Sequence, residues 1–158
     1  EDDPKEAAIL IKHLSLFYRK LTAYSQKEMI TLEEELELLD SYLFIQKKRY
    51  GSALQVSINI NTDFRKSCWI PPLVLQLLTE NAVKHNTISK DRPLHIEIFT
   101  AQYRIVVQNN INPKLEKEES EGVGLKNINN RYRFLTDIEV TQEENNGVFT
   151  VKLPIIYN

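Results

Sequence analysis

Residues 77–86 read LLTENAVKHN and continue the apolar run WIPPLVLQLL, which begins at Trp69. This composition predicts a helix, and helical spacing puts four positions on one core-facing stripe: Leu73, Leu77, Asn81 and His85. The stripe is apolar for two steps and polar for two, with Glu80 and Lys84 beside the polar half. A core-facing stripe that turns polar needs an explanation, because a buried amide is costly unless it is hydrogen-bonded.

The polar end of this helix offers a specific chemistry. Asn81 can supply a neutral oxygen to a hard cation such as Mg²⁺, and Lys84 and His85 can neutralise phosphate oxygens. Glu80 can accept a proton or orient a nucleophile. The alternative is structural: Asn81 caps a neighbouring strand, and His85 carries a favourable positive charge near the helix end. Four polar groups within six positions favour a site.

Bulk composition indicates one globular domain with a helical appendage. The 158 residues are 42% hydrophobic and 27% charged, and the net charge of -2 gives no general nucleic-acid or membrane signal. The only cysteine, Cys68, follows Ser67 in an apolar context, which predicts a buried thiol and favours a reducing compartment. The chain starts without Met, and a helical pattern is already running by Ala7, so we expect a fragment of a longer protein.

Periodicity predicts the element order α-α-β-α-β-β-α-β-β. The first helix reaches about Tyr24; a capping box of Thr31 and Glu34 starts the second, which Gly51 ends. Further strands are expected at 54–60, 94–100, 103–109, 138–143 and 147–156, with a hairpin through Ala101–Gln102 and another through Asn145–Gly147. A helix is also expected at 124–136. The order predicts an α+β, two-layer sandwich with helices on one face of a mixed sheet, preceded by N-terminal helices.

Two glycines precede the helix that begins GLKNINNRYR. Gly122 and Gly124 would let the backbone approach a ligand, and the helix N-terminus would offer N–H groups to phosphate. A loop–helix junction explains the same glycines equally well. The acidic loop at 112–121 is long for a compact domain, which is typical of a lid, although a solvated surface loop has the same composition.

Three further polar positions carry alternatives. Asn109 ends the strand YRIVVQN, where its oxygen could accept from an exocyclic amine such as that of adenine; the alternative is a simple turn. His13 has no acidic neighbour to activate its imidazole, so we interpret it as an ordinary helix-surface histidine. His95 alternates outward in its strand and is also interpreted as ordinary.

Four motifs follow one another along the chain: LTENAVKH, VVQNN, GVGL and GVFTVKLP. In these motifs and their order, the sequence resembles the ATP-binding domain of sensor histidine kinases in the Bergerat (GHKL) ATPase superfamily. The segments TLEEELELLDSYLFIQKKRYG and IPPLVLQLLTENAVKH resemble more specifically the LytS-like and YehU-like sensor kinases. This resemblance covers the chain from about Ala8 to Pro154. It implies a Bergerat fold at 30–158 and the C-terminal part of the dimerisation and phosphoacceptor helical region at 1–29.

The resemblance also implies a role for each motif residue. Asn81 matches the Asn that holds Mg²⁺ against the triphosphate, and Glu80 matches the acidic residue that assists phosphoryl transfer. The other nucleotide-binding residues that it implies are Lys84, His85, Asn109, Gly122, Gly124, Leu125 and Thr150. The cofactors would be ATP and Mg²⁺. Three departures are Asn109 in place of Asp, Ile111 in place of a glycine and Val148 in place of Thr.

The family's phosphoacceptor motif, a His followed by Phe and then Phe-Asn, is missing from this sequence. The resemblance therefore implies the catalytic portion of a two-component kinase that transfers the γ-phosphoryl group to a histidine outside this fragment. The implied partners are a response regulator, with the LytTR type as one candidate, and a second copy bound through the N-terminal helices, with no direct nucleic-acid binding. The location would be the cytoplasmic face of the bacterial inner membrane, with membrane anchoring only through segments absent here.

Two rivals remain. A degenerate GHKL module without ATP turnover, acting by dimerisation, is favoured by Asn109, Ile111 and Val148. A protein-serine kinase of the anti-sigma type is disfavoured by the long N-terminal helices.

Overall fold

The computed structural model describes residues 4–114 and 123–157. The helices are α1 (Pro4–Ser25), α2 (Leu32–Tyr50), α3 (Thr62–Ser67), α4 (Val74–His85) and α5 (Val123–Leu135). The strands are β1 (Ile30–Thr31), β2 (Leu54–Asn59), β3 (Cys68–Ile70), β4 (Leu94–Ala101), β5 (Arg104–Asn110), β6 (Thr141–Asn145), β7 (Val148–Pro154) and β8 (Ile156–Tyr157). A 3-10 turn at Gly51–Ala53 leads from α2 into β2.

The start of α2 is the predicted capping box. The Thr31 hydroxyl accepts from the Glu34 N–H at 3.2 Å, and the Glu34 carboxylate accepts from the Thr31 N–H at 2.9 Å. The predicted stop is also confirmed, because α2 ends at Gly51 with a φ of 55° that favours glycine. α1 packs on α2, with Lys20 Nζ 2.8 Å from the Glu37 carboxylate.

The main sheet has five strands in the order β2-β4-β5-β7-β6. β2 runs parallel to β4, and the remaining neighbours pair antiparallel, so the predicted mixed sheet is confirmed. The register puts Leu54, Leu94 and Val107 on one face, and these side chains share a core with α2, α4 and α5. The opposite face carries exposed residues such as His95 and Glu97. This is the expected α+β arrangement with helices on one face.

Four short elements were not predicted, namely the helix α3 and the strands β1, β3 and β8. Residues 62–67 form α3, and Cys68–Ile70 form β3, which is the centre of a small three-stranded sheet in the order β1-β3-β8. The helix predicted over IPPLVLQLLTENAVKHN, residues 70–86 with the paired prolines at its entry, begins only at Val74. The physical reason is the Pro71–Pro72 pair, since proline disfavours a helical conformation in the residue before it. Cys68 itself is fully buried, as predicted.

The two hairpin turns differ in how well the sequence located them. Asn146 and Gly147 have φ values of 49° and 74°, and they join β6 to β7 as expected. The β4–β5 turn lies at Gln102 and Tyr103, with φ values of 49° and 59°, rather than at Ala101–Gln102. The strand continues one residue further than its apolar pattern, so that prediction was wrong by one position.

Within residues 4–114 and 123–157, no helix combines the length and apolar content that crossing a membrane requires.

Candidate functional site

The first turn of α4 is held by a carboxylate from another helix. Glu35 of α2 is fully buried, and its two oxygens accept from the backbone N–H groups of Leu73 and Leu75, each at 2.8 Å. Leu73, the residue before α4, is left-handed with a φ of 70°. That conformation costs a non-glycine residue on the order of 1 kcal/mol, so the contact with Glu35 stabilises an otherwise unfavourable helix start.

The buried face of α4 is not the predicted stripe. Its buried residues are Val74, Leu75, Leu78, Thr79, Ala82 and Val83. Leu73, Leu77 and Asn81 are half-buried, and His85 is exposed. The stripe therefore lies at the margin of the buried face, because the 3.6-residue period gives α4 two other apolar rows that fill the core. Asn81 consequently faces the edge of the core, where a ligand can reach it.

Asn81 meets the start of α5. A Cβ atom built on Gly124 would lie 3.2 Å from Asn81 Nδ2 and 3.6 Å from Asn81 Oδ1. At that distance, a side chain at position 124 would require the Asn81 amide to move by a few tenths of an ångström. Two of the predicted site residues, distant in sequence, are thus adjacent in the fold.

The remaining candidates on α4 are open to solvent. Glu80 and Lys84 are exposed, as is His85, which has an interaction partner of its own. Glu80 lies near Tyr42 of α2: burial, and next the negative charge of Glu80, raises the pKa of that phenol. Because Glu80, Lys84 and His85 are exposed, they could reach a ligand beside Asn81 without any rearrangement of the core.

The end of β5 brings another candidate, Asn109, to the helix-covered face. Asn109 is buried and pairs with Ile96 of β4 and Phe149 of β7, so it lies on the same face as the core. Its Nδ2 donates to the Asn110 carbonyl at 2.8 Å. The side-chain oxygen is the atom that could accept from an amine.

Thr150 is not brought to that face. It pairs with Gln108 of β5 and Glu143 of β6, one residue out of step with Asn109. Since successive strand residues point to opposite faces, Thr150 lies on the face away from the helices, although it is buried. The strand backs the candidate site, but this side chain does not enter it.

The glycine-rich segment is only partly described. Gly122 and residues 115–121, most of the predicted lid loop, lie outside the described residues. Leu125 is half-buried and packs on the core, while Ile128 and Tyr132 are fully buried on the inner face of α5. Leu125 also lines a polar cavity of about 400 Å³ between α5 and β6, which contains none of the other candidates.

Asn86 is a residue that the sequence interpretation missed. It is buried just after α4, its Nδ2 donates to the Ala82 carbonyl at 2.8 Å, and its Oδ1 accepts from the Asn112 N–H at 2.6 Å. Thr87 N–H also donates to the Asn112 carbonyl at 2.8 Å. These bonds fasten the end of α4 to the chain leaving β5. In the sequence, polar residues follow both α4 and β5, but each group alone is typical of a turn, so the link between them is not visible.

His13 differs from the expectation of a surface histidine. Its ring stacks on Phe44 of α2, with centroids 3.7 Å apart and an interplanar angle of 13°. Its Nδ1 is buried and has no hydrogen-bond partner in the structure. The correction follows from the α1–α2 packing, which a single-helix pattern does not show. His95 is exposed, as expected.

A cation site built from side chains alone is not apparent in 4–114 and 123–157. No three His, Cys, Asp or Glu residues of those ranges lie close enough to hold a metal ion. A metal at Asn81 would therefore need further ligands, which phosphate oxygens and water commonly supply to Mg²⁺.

Comparison with known proteins gives a consistent family. Residues 1–54 match the family model described as histidine kinase. The sensor histidine kinase/phosphatase LytS of Staphylococcus aureus is 30% identical over 148 residues, covering 83% of this chain and 25% of LytS. The chain thus spans about a quarter of the length of the curated relatives it matches.

Solved structures share the fold. The nucleotide-free catalytic domain of the histidine kinase ThkA matches with a TM-score of 0.54 at 15% identity, covering 82% of this chain and 97% of that one. The cytoplasmic segment of the histidine kinase QseC matches with a TM-score of 0.54 at 16% identity, covering 100% and 97%. At these identities the likeness concerns the fold alone.

Proposed function

The chain belongs to the histidine kinase family, and we propose that it binds Mg-ATP as the catalytic portion of a two-component sensor kinase. The observation that carries this proposal is the meeting of Asn81 with Gly124. It puts an amide oxygen that can bind a metal next to a glycine backbone, and Asn109 lies on the sheet face that the helices cover. Such a combination suits a metal-bound polyphosphate with a base beyond it.

Each candidate residue has a proposed role. Asn81 would hold Mg²⁺ through its side-chain oxygen, and Glu80 would assist phosphoryl transfer. Lys84 and His85 would neutralise phosphate charge from the exposed end of α4. The glycine-rich segment, which includes Gly122, Gly124 and Leu125, would close over the phosphates.

Asn109 and Thr150 have different proposed parts in base recognition. Asn109 lies on the helix-covered face and would accept from the adenine amine with its oxygen. Thr150, on the other face, would act only by supporting the strand behind the pocket.

The residues present suit Mg²⁺. A hard cation prefers oxygen ligands, and Asn81 offers one beside a glycine that leaves room for a ligand. When bound, Mg²⁺ neutralises charge on the phosphate oxygens and favours phosphoryl transfer. The chain's own contribution is to position the triphosphate and to place cationic side chains near it, which supplies most of the catalysis in this chemistry.

The whole protein would be longer than this chain. Residues 1–29 would belong to the dimerisation and phosphoacceptor region, and 30–158 would form the ATP-binding domain. The phosphoryl acceptor would be a histidine outside this segment, followed by a response regulator, with the LytTR type as one candidate. Other segments would anchor the protein at the cytoplasmic face of the inner membrane.

Exposed apolar side chains on α1 support pairing of two copies. Ile11 and Tyr18, which lie seven residues apart and so on one face of α1, are 63% and 62% exposed, although α1 already packs on α2. A second copy bound along this face would remove them from water, which favours association. This is the basis for proposing a homodimer through the N-terminal helices.

The degenerate-module alternative also has a structural observation in its favour. The Ile111 N–H donates to the Gly147 carbonyl at 2.8 Å, so the backbone at this position already has a partner where the family has a glycine. Asn109 likewise uses its Nδ2 within the chain. In that alternative, the protein would act by dimerisation without ATP turnover.

Calorimetric titration separates the two functions. The chain would be titrated with a non-hydrolysable ATP analogue in excess Mg²⁺ and again in EDTA, with the GTP analogue as a control for base recognition. We expect saturable binding that weakens without Mg²⁺ and that favours the adenine analogue. Absence of binding under all conditions would support the degenerate module instead.

A further inference from the structure

Glu35 has an environment unlike that of its neighbours in the first turn of α2. Glu33 and Glu34 are half-buried, and Glu34 completes the capping box of its own helix. Glu35 is fully buried and crosses to another helix, where its two oxygens accept from Leu73 and Leu75 at 2.8 Å each. A buried charge is retained only where specific partners compensate its loss of water.

We propose that Glu35 is a positioning residue for the candidate nucleotide site, fixing the first turn of α4, and thereby the place of Asn81, relative to α2. This inference rests on the proposed nucleotide binding. It goes further by assigning a function to a residue that touches no nucleotide and that lies 46 positions before Asn81.

The two-oxygen geometry makes a carboxylate necessary. Leu73 is left-handed, so its N–H and that of Leu75 point to different oxygens of one acceptor group. An amide has a single oxygen, and its NH₂ group would face the second N–H with no lone pair to offer. Glutamine at position 35 would keep the size of the side chain but lose one of the two bonds.

α5 also contacts the segment before α4 that Glu35 holds. Arg131 donates to the Pro72 carbonyl at 2.8 Å, and its charge acts favourably on the Glu35 carboxylate. Tyr132 is fully buried nearby, with its hydroxyl lacking a hydrogen-bond partner in the structure. Arg131 therefore bonds α5, the helix that carries Gly124, to Pro72, which directly precedes the Leu73 whose N–H Glu35 accepts.

The charge state of Glu35 follows from its surroundings. Burial raises the pKa of its carboxyl to about 7, although the backbone N–H donors of α4 and Arg131 act in the opposite direction. The other titratable groups around it are Tyr132 and Cys68, and burial raises the pKa of both above their ordinary values. Of these groups, Glu35 is the one whose charge changes near neutral pH.

The experiment compares Glu35→Gln with Thr31→Ala. Thr31→Ala removes the N-cap of the same helix and lowers stability without touching α4, so it controls for a general loss of fold stability. Binding of the Mg²⁺ complex of the ATP analogue would be measured at pH 8 and at pH 6 for both variants and the parent. Amide hydrogen exchange of empty α4 would be measured for the same three proteins.

At pH 8 we expect Glu35→Gln to bind the analogue about tenfold more weakly than the parent, because one charge-assisted hydrogen bond is lost. At pH 6 the parent is itself protonated at Glu35, so the two affinities should converge to within about twofold. Thr31→Ala should keep the parent's affinity ratio between the two pH values. Protonation of the nucleotide affects all three proteins equally and cancels in this comparison.

Equal affinities of Glu35→Gln and the parent at both pH values would overturn the proposal while leaving nucleotide binding intact. If the parent binds no nucleotide, the proposed function fails, and hydrogen exchange then decides the positioning role. Faster exchange from residue 75 through residue 81 in Glu35→Gln, but not in Thr31→Ala, would support that role. Unchanged exchange in Glu35→Gln would overturn it.

Discussion

Gly124 lies so close to Asn81 that a methyl group on residue 124 would stand 3.2 Å from the Asn81 amide nitrogen. The two residues belong to α5 and α4, and each was singled out for nucleotide binding on separate grounds. Their contact links the glycine-rich segment to the polar end of α4. It also means that stability and binding respond differently to a substitution at Gly124.

Gly124→Ala should weaken nucleotide binding without weakening the fold. Alanine favours a helix over glycine by up to about 1 kcal/mol, so the free energy of unfolding should stay level or rise. The new methyl group must displace the Asn81 amide, so affinity for the ATP analogue should fall several-fold. Calorimetry and urea unfolding give the two quantities.

Asn127→Ala is the matched control, because Asn127 is exposed on the same helix. It should alter helix propensity in the same direction and leave affinity unchanged. A parallel loss of affinity in both variants would show that the Asn81 contact is not responsible.

Asn86→Ala should destabilise the protein by about 1–3 kcal/mol, because the Asn112 N–H loses its buried acceptor. Thr87→Ala removes only a 3.4 Å contact with the Pro113 carbonyl and should change stability by less than about 0.5 kcal/mol. Urea unfolding at neutral pH measures both. Similar effects of the two substitutions would argue against Asn86 as the fastener of α4 to the chain after β5.

The stability of the protein should depend on pH through Glu35. Between its unfolded value of 4.5 and its folded value of about 7, the unfolded chain has released this proton and the folded chain has not. The unfolded state binds fewer protons there, so rising pH lowers this group's contribution by up to about 1.4 kcal/mol per pH unit. Above pH 7 the contribution levels off.

The check is urea unfolding of the parent and Glu35→Gln from pH 4 to pH 8. The difference in unfolding free energy, parent minus variant, should fall as pH rises from 4.5 to 7 and then stay constant. A difference that is independent of pH would contradict the raised pKa of Glu35.

His13 should not accept phosphate. Its ring is stacked on Phe44 and its Nδ1 is buried, so the imidazole is packed against α2 rather than presented as an exposed nucleophile. Incubation with γ-labelled ATP should leave the chain unlabelled. Acid-labile label that disappears in His13→Ala would contradict this prediction.

The parts of the fold that local chemistry specifies were accessible from sequence. The capping box at Thr31 and the Asn146–Gly147 turn are each defined by residues within four positions of one another, and both are confirmed. Four strands of the main sheet were also found, because alternation over six or more residues gives a clear period. The fifth, β6, begins three residues after its predicted start at Ile138, and it is exposed throughout, so it has no apolar alternation. The two- and three-residue strands β1, β3 and β8 give no period at all.

Features that depend on distant residues were not accessible. Glu35 is one of three consecutive glutamates, and no local pattern separates the one that is buried from the two that reach solvent. The contact of Asn81 with Gly124 and the bond of Asn86 to Asn112 likewise arise only when α4, α5 and β5 meet. To predict which face of the sheet Thr150 lies on requires the register of β7 against β5, and the sequence of a single strand does not contain that register.

The central claim, that Asn81 holds Mg²⁺ beside a triphosphate, is tested most directly by Asn81→Asp. Aspartate keeps the oxygen and the size but adds a negative charge close to phosphate oxygens. Two unit charges about 4 Å apart interact by roughly 1 to 4 kcal/mol between bulk water and a surface-like dielectric. Metal-free ATP should therefore bind more weakly, whereas an added metal ion is attracted by the same charge.

The deciding measurement is the affinity for ATP with and without Mg²⁺ in the parent and in Asn81→Asp, together with the melting temperature of each empty protein. The account predicts that binding becomes more dependent on Mg²⁺ in the variant while the melting temperature moves little. An unchanged metal dependence with a much earlier melt would show that Asn81 is a structural residue, and the nucleotide site would lose its central group.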